Sequence, residues 1–191
     1  MDKKVVPVGI SNRHLHVKKE DLEKLFGAGY ELTVKKDLSQ RGQYACEETV
    51  TITGPKGSIP NVRILGPCRT RTQVEISKTD SFVLGVAPPV RDSGELDDSA
   101  PVKITGPKGE VELKEGLILA KRHVHFSTED AKEFNVVDRQ IITIETTGER
   151  AVTYKEVLAR VHDTYALEFH LDTDEANCVC LNNGDMVTVI I

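Results

Sequence analysis

The chain has 191 residues, of which 39% are apolar and 29% charged, a balance that fits a folded globular protein and disfavours disorder. A net charge of -5, 5% aromatics and no Trp argue against a nucleic-acid partner, which needs a basic footprint and stacking platforms. No apolar run approaches the roughly 20 residues that span a bilayer, and Met1 to Pro7 carries no long apolar segment of the signal-peptide kind.

In chain order the sequence reads as mainly β. Short runs rich in Val, Ile and Thr, bounded by turn residues, predict strands at Lys4–Ile10, Thr49–Thr53, Asn61–Leu65, Thr72–Ile76, Val102–Thr105, Gly116–Ala120, Gln140–Glu145 and Met186–Ile191. Helical patterns are few. Glu20 to Phe26 predicts one helix, with Gly27 as its stop. Thr128 to Phe134 predicts another, with Ser127 as N-cap and Asp130 as capping-box partner. A third is expected to start near Asp172 or Thr173, where Asp174 and Glu175 favour a helix N-terminus. Residues 27–48 read as a polar insertion and Gly85 to Ala100 as a loop. Cys46, Cys68, Cys178 and Cys180 match no zinc-knuckle or redox spacing, so they read as reduced, small buried hydrophobes.

Two repeats organise the chain. Thr51-Ile-Thr-Gly-Pro-Lys-Gly57 returns as Lys103-Ile-Thr-Gly-Pro-Lys-Gly109, and each reads as a hairpin. Neither has P-loop spacing or a following helix. The longer repeat is Arg13-His-Leu-His-Val-Lys-Lys-Glu-Asp21 against Arg122-His-Val-His-Phe-Ser-Thr-Glu-Asp130. It implies two related units, each entered by a strand with Arg-His-x-His and capped by a helix. The expected fold is two related small β-barrels with short capping helices.

The histidine pairs carry chemistry. Residues two apart on a strand share a face, with Cα atoms about 6.6 Å apart. His14 with His16, and His123 with His125, can therefore each converge on a metal. One H-x-H is weak evidence. Two in a duplicated context are stronger, and imidazole suits zinc, copper, iron or nickel. His170 is the best further ligand and His162 reads as structural. Glu75 either faces solvent or completes a mixed site. Arg63, Arg69 and Arg71 cluster around Gly66-Pro67, the last two directly after it. They are phosphate-binding candidates or solvated surface arginines.

Val8-Gly-Ile-Ser-Asn-Arg-His-Leu-His16, Leu65-Gly-Pro-Cys-Arg-Thr-Arg-Thr-Gln-Val-Glu75, Lys121-Arg-His-Val-His125 and Glu168-Phe-His-Leu-Asp-Thr-Asp-Glu-Ala-Asn177 together resemble the PduL-type phosphotransacylases, or phosphate propanoyltransferases. The resemblance runs from about Val5 to the C-terminus. It implies an acyltransferase that moves a propanoyl or acetyl group between coenzyme A and phosphate. It implies two barrels, one from residues 3–12 together with 121–191, so that the first strand completes the C-terminal barrel, and the other from residues 13–120, with a dinuclear zinc centre of two ions per chain between them. His123, His125 and His170 match the ligands of one zinc; His14, His16 and Glu75 match those of the other. Arg69 matches the catalytic phosphate-binding arginine. Ser11, Lys36, Arg63, Leu65 and Asn177 match coenzyme A contacts. With no Ser/His/Asp or Cys/His triad evident, direct attack by phosphate is expected, and a zinc-dependent thioester or ester hydrolase is the alternative. A homo-oligomer, first of all a dimer, is expected. Longer relatives carry a leader for bacterial microcompartments of the propanediol-degrading kind. The few residues before the first strand leave the cytoplasm as the expected compartment.

Overall fold

The computed structural model describes residues 4–191. It contains fourteen strands and four short helices: β1 (Val5–Ser11), β2 (His14–His16), α1 (Lys19–Phe26), β3 (Val34–Asp37), β4 (Tyr44–Thr53), β5 (Ser58–Gly66), β6 (Gln73–Glu75), α2 (Lys78–Leu84), β7 (Val90–Arg91), β8 (Ala100–Thr105), β9 (Glu110–Ala120), β10 (His123–Phe126), α3 (Thr128–Phe134), β11 (Ile141–Glu145), β12 (Thr153–Val161), β13 (Glu168–Asp172), α4 (Thr173–Cys178) and β14 (Met186–Ile190). None of these helices is long and apolar enough to cross a membrane.

The chain forms two compact units. One comprises the described residues up to Asn12 with Lys121–Ile191; the other is Arg13–Ala120. In the first, the strands close in the order β1-β13-β10-β12-β11-β14. In the second, the path β4-β5-β2-β6-β9 is closed by β8, which pairs with both β4 and β9. Closure removes the unpaired edges that would otherwise recruit other strands.

The two rings have the same graph. β2 runs parallel to β5 and antiparallel to β6; β10 runs parallel to β12 and antiparallel to β13. β6 and β9 are parallel, as are β13 and β1. β8 is antiparallel to β9 and β4, as β14 is to β1 and β11. β1 therefore plays in the first ring the part that β9 plays in the second. The duplication written in the two Arg-His-x-His segments extends through the whole strand order.

Each ring has its own core. Val6, Val8, Val124, Phe126, Ile144, Val157 and Phe169 fill the first. Leu15, Val17, Ile52, Val62, Ile64, Val74 and Leu117 fill the second. The strand period of two follows: Leu15, Val74, Val124 and Phe169 point inward, so their neighbours His14, His16, Glu75, His123, His125 and His170 stand on the outer face of a barrel wall.

Both Gly-Pro-Lys-Gly repeats are hairpin turns, closed by Gly54 N–H to Gly57 O and Gly106 N–H to Gly109 O, each 2.9 Å. The Lys56 and Lys108 amides donate to Leu84 O at 3.0 Å and Leu25 O at 2.9 Å, at the C-terminal ends of α2 and α1. A Cβ on Gly54 or Gly106 would lie 2.4 or 2.6 Å from those carbonyls. The repeat is thus a docking turn for a helix end. The polar insertion expected at 27–48 is corrected in part. Val34–Asp37 is a fully exposed strand paired with Tyr44–Cys46, an arm off the ring. The expected 85–100 loop likewise contains β7, α2 was not among the expected helices, and Cys178 and Cys180, expected to be buried, are exposed while Cys46 is buried.

Candidate functional site

His14 on β2 stands opposite Glu75 on β6, and His123 on β10 stands opposite His170 on β13. The same antiparallel register thus delivers the third donor in both units. His14, His16 and Glu75 form one cluster and His123, His125 and His170 the other, the donor atoms within each lying within 4.8 Å of one another. The open alternative for Glu75 is resolved by its position: it is buried, with Oε2 3.6 Å from His14 Nε2.

Hydrogen bonding selects which ring nitrogen is left for a ligand. His16 Nδ1 lies 3.1 Å from Leu65 O and His123 Nδ1 lies 2.8 Å from Lys121 O. A carbonyl only accepts, so these nitrogens donate and Nε2 keeps its lone pair. His170 Nε2 is 2.5 Å from Glu168 Oε2, which leaves Nδ1. His123 Nε2 and His125 Nε2 face each other at 3.0 Å, and His125 Nδ1 is buried with no partner among the described residues. Partners of this kind, holding the far side of an imidazole, are what metal-ligating histidines have.

Three of the rings, His16, His123 and His125, are also kept neutral. Burial first, then His14 and the Arg69 guanidinium, lower the His16 pKa to about 2. Burial first, then His170 and Arg160, lower His123 to about 3. His125 is lowered too, again chiefly by burial. Neutral imidazole is the form that coordinates a metal. Three imidazoles in one cluster and two imidazoles with a carboxylate in the other are donor sets that leave a fourth position for water or substrate. The residues fit a metal ion at each cluster.

The residues two positions before each third donor complete the pattern. Gln73 Nε2 donates to Glu75 Oε1 at 2.5 Å, and Glu168 meets His170. A carboxylate donor is met by an amide and an imidazole donor by a carboxylate. Gln73 Nε2 also lies 2.8 Å from Ser93 Oγ, to which Arg69 Nη1 donates at 3.0 Å; the Gly94 amide donates to Gln73 Oε1 at 2.7 Å. Ser93 thereby links Arg69 to the Glu75 cluster.

A model of the phosphate propanoyltransferase family matches residues 7–182. Phosphate propanoyltransferase of Thermotoga maritima is 55% identical over 184 residues, covering 96% of this chain and 88% of that protein. That of Clostridioides difficile is 50% identical over 185 residues, covering 97% and 88%. That of Priestia megaterium is 53% identical over 180 residues, covering 94% and 83%. The chain belongs to the phosphate propanoyltransferase family.

The phosphotransacylase site residues expected from sequence fall as follows. Of the three clustered arginines, Arg71 is turned to Asp97 at 2.9 Å and Glu115 at 3.8 Å. Arg63 donates to the backbone carbonyls of Cys46 and Glu47 at 2.5 and 3.3 Å. Arg69 is the one that acts on a triad histidine, His16. Leu65 supplies the carbonyl that orients His16, and Lys36 lies exposed on β3. Ser11 ends β1 opposite Asp172, and Asn177 lies on α4. His162 is exposed, its Nδ1 2.9 Å from Thr164 Oγ1, and belongs to neither triad.

Sequence reasoning missed Gln73, Ser93, Arg160, Tyr165 and Glu168. Arg160 stands opposite His125 and donates to Tyr165 Oη at 3.2 Å; the Tyr165 ring meets His125 edge-on at 4.4 Å. A signal existed for Gln73 and Glu168, since strand alternation puts each on the face of its triad. None existed for Ser93, which reaches the site from a loop.

Proposed function

We propose that the chain moves a short acyl group, propanoyl or acetyl, between coenzyme A and inorganic phosphate, with one zinc held by His123, His125 and His170 and another by His14, His16 and Glu75. The observation that carries this reading is the duplicated strand register that gathers three ligand atoms in each unit of a chain of this family. In the reaction a phosphate oxygen attacks the thioester carbonyl, the C–S bond breaks, and CoA leaves as thiolate.

A bound zinc supplies Lewis acidity for the developing oxyanion and an affinity for thiolate sulfur. The chain's own groups do the rest. Arg69 binds phosphate through its guanidinium fork and sets its direction of approach, held in place by Ser93. Gln73 keeps the Glu75 carboxylate turned. Leu65 O and Lys121 O keep His16 and His123 in the tautomer that coordinates through Nε2. Ser11, Lys36, Arg63, Leu65 and Asn177 contact coenzyme A.

Phosphate is the nucleophile, with no acyl-enzyme. The buried Cys46 thiol is pushed up to about 11, and the Cys68 thiol is raised as well, so neither ionises readily at neutral pH. The test is Arg69→Ala with propanoyl-CoA and varied phosphate. Transfer should fall about 100-fold or more, mostly through weaker use of phosphate. Normal phosphate dependence in the variant would remove Arg69 from the reaction.

A further inference from the structure

The arginine of each Arg-His-x-His segment has no part in the chemistry above, yet both arginines make the same contact. The third donor of each cluster stands two residues before a helix N-cap and five before the acid at the third helical position. In the second unit these are Glu75, Ser77 and Asp80; in the first they are His170, Asp172 and Glu175. Each acid closes a capping box by accepting from the N-cap amide, at 3.3 Å for Ser77 N–H to Asp80 and 3.4 Å for Asp172 N–H to Glu175.

Each acid also receives the arginine that immediately precedes the first histidine donor. Arg13 meets Asp80 as a fork, Nε to Oδ2 at 2.8 Å and Nη2 to Oδ1 at 2.8 Å. Arg122 Nη1 pairs with Glu175 Oε1, and its Nε and Nη2 donate to Lys155 O at 3.0 and 2.6 Å. The acids differ and the third donors differ, but the contact recurs. β2 and β6 are three residues each, so few ladder bonds fix the strand with two donors against the strand with the third. A planar guanidinium bound to the strand–helix joint fixes that register at the donors' own end.

We infer that Arg13 and Arg122 are positioning residues, each setting the metal affinity of the triad that it precedes through Asp80 and Glu175. The inference rests on the triads being zinc sites. It concerns binding rather than turnover, and neither arginine touches metal or substrate.

The test is zinc release from the full-length, zinc-loaded protein against a graded chelator. Arg13→Lys and Arg122→Lys keep the charge but lose the fork. Arg13→Lys should weaken one zinc about tenfold, the usual size for a supporting partner of a ligand. That loss should persist when the other triad is removed by His123→Ala and vanish when the same triad is removed by His14→Ala. Arg122→Lys should do the converse. Asp80→Asn should match Arg13→Lys, and combining the two should add little. Thermal melts of the metal-free variants separate a plain ion pair, which would lower stability and leave the zinc affinity of both sites unchanged; that result overturns the inference. So does equal weakening of both sites by either substitution. A wild-type protein that takes up no zinc would overturn the metal reading itself, and the inference with it.

Discussion

Gly9 shows how a single missing side chain serves the His123 cluster. It pairs with His170 across β1 and β13, and a Cβ there would lie 2.6 Å from Glu168 Cδ and 2.8 Å from His170 Cδ2. Gly9→Ala should therefore displace the ligand and its carboxylate partner while the strand, whose φ is ordinary, stays in place. Zinc affinity at that triad should fall roughly tenfold, and the melting temperature of the metal-free protein should move little. Titration with a chelator beside a thermal melt checks both; undiminished zinc affinity would show that the side chains yield at no expense to coordination. The histidine pairs were legible at this scale because donor spacing on a strand is written in the chain, whereas spacing left Glu75 open and only the family resemblance set it beside His14 and His16. The supporting polar groups were not, since Ser93 meets Gln73 and Arg69 only through a loop path that no spacing encodes.

At the scale of elements, the four helices follow one plan with one exception. α2, α3 and α4 each open with a capping box, Ser77 with Asp80, Ser127 with Asp130 and Asp172 with Glu175. α1 has Lys18 at its N-cap and no side-chain cap of its own. Thr72 substitutes from outside: its hydroxyl accepts from the Lys18 amide at 3.1 Å and donates to the buried Asp21 carboxylate at 2.7 Å. Thr72→Val keeps the shape and removes both bonds, so it should cost about 1–3 kcal/mol in urea unfolding; a loss of a few tenths would mean that water replaces the hydroxyl. The Ser127 cap was legible in sequence. α2 was not read, because Lys78–Leu84 exposes Phe82 and Val83 and shows no clean apolar stripe, although Ser77 and Asp80 were there to mark it. β3 has no buried residue and so no period of two. β12 was unread for a related reason: Glu156 adopts φ 55° and the pairing with β11 shifts register beside it.

Across the whole molecule, three neutral histidines, His16 and His125 buried and His123 half-buried, link folding to protons. His16, His123 and His125 all have folded pKa values well below the ordinary 6.5. Below about pH 6.5 the unfolded chain protonates these rings and the folded chain does not. The unfolded state then binds more protons, so stability of the metal-free protein falls as pH falls. The decline should start near pH 6.5 and run down towards pH 3 or below, the proton uptake of these three rings on unfolding rising to about three by roughly pH 5. Melts of metal-free protein between pH 7.5 and 5.5 should show a falling midpoint; a flat profile would contradict neutral, buried rings. Bound metal should shift the decline to lower pH, since it adds the stability of a ligand that only the folded state holds.

The duplicated barrel was legible as a class because both Arg-His-x-His segments announce it. The strand pattern alone did not show which strand closes each ring, because closure depends on which distant strand supplies the last pair; the part of β1 was an expectation from the family resemblance. What the two triads and Arg69 are for is tested most directly by following CoA release from propanoyl-CoA by the zinc-loaded protein, with and without phosphate. Release should rise with phosphate to saturation, with propanoyl phosphate formed in equal amount. Release at the same rate without phosphate, with free propanoate as the product, would contradict phosphate as the nucleophile and make the chain a hydrolase.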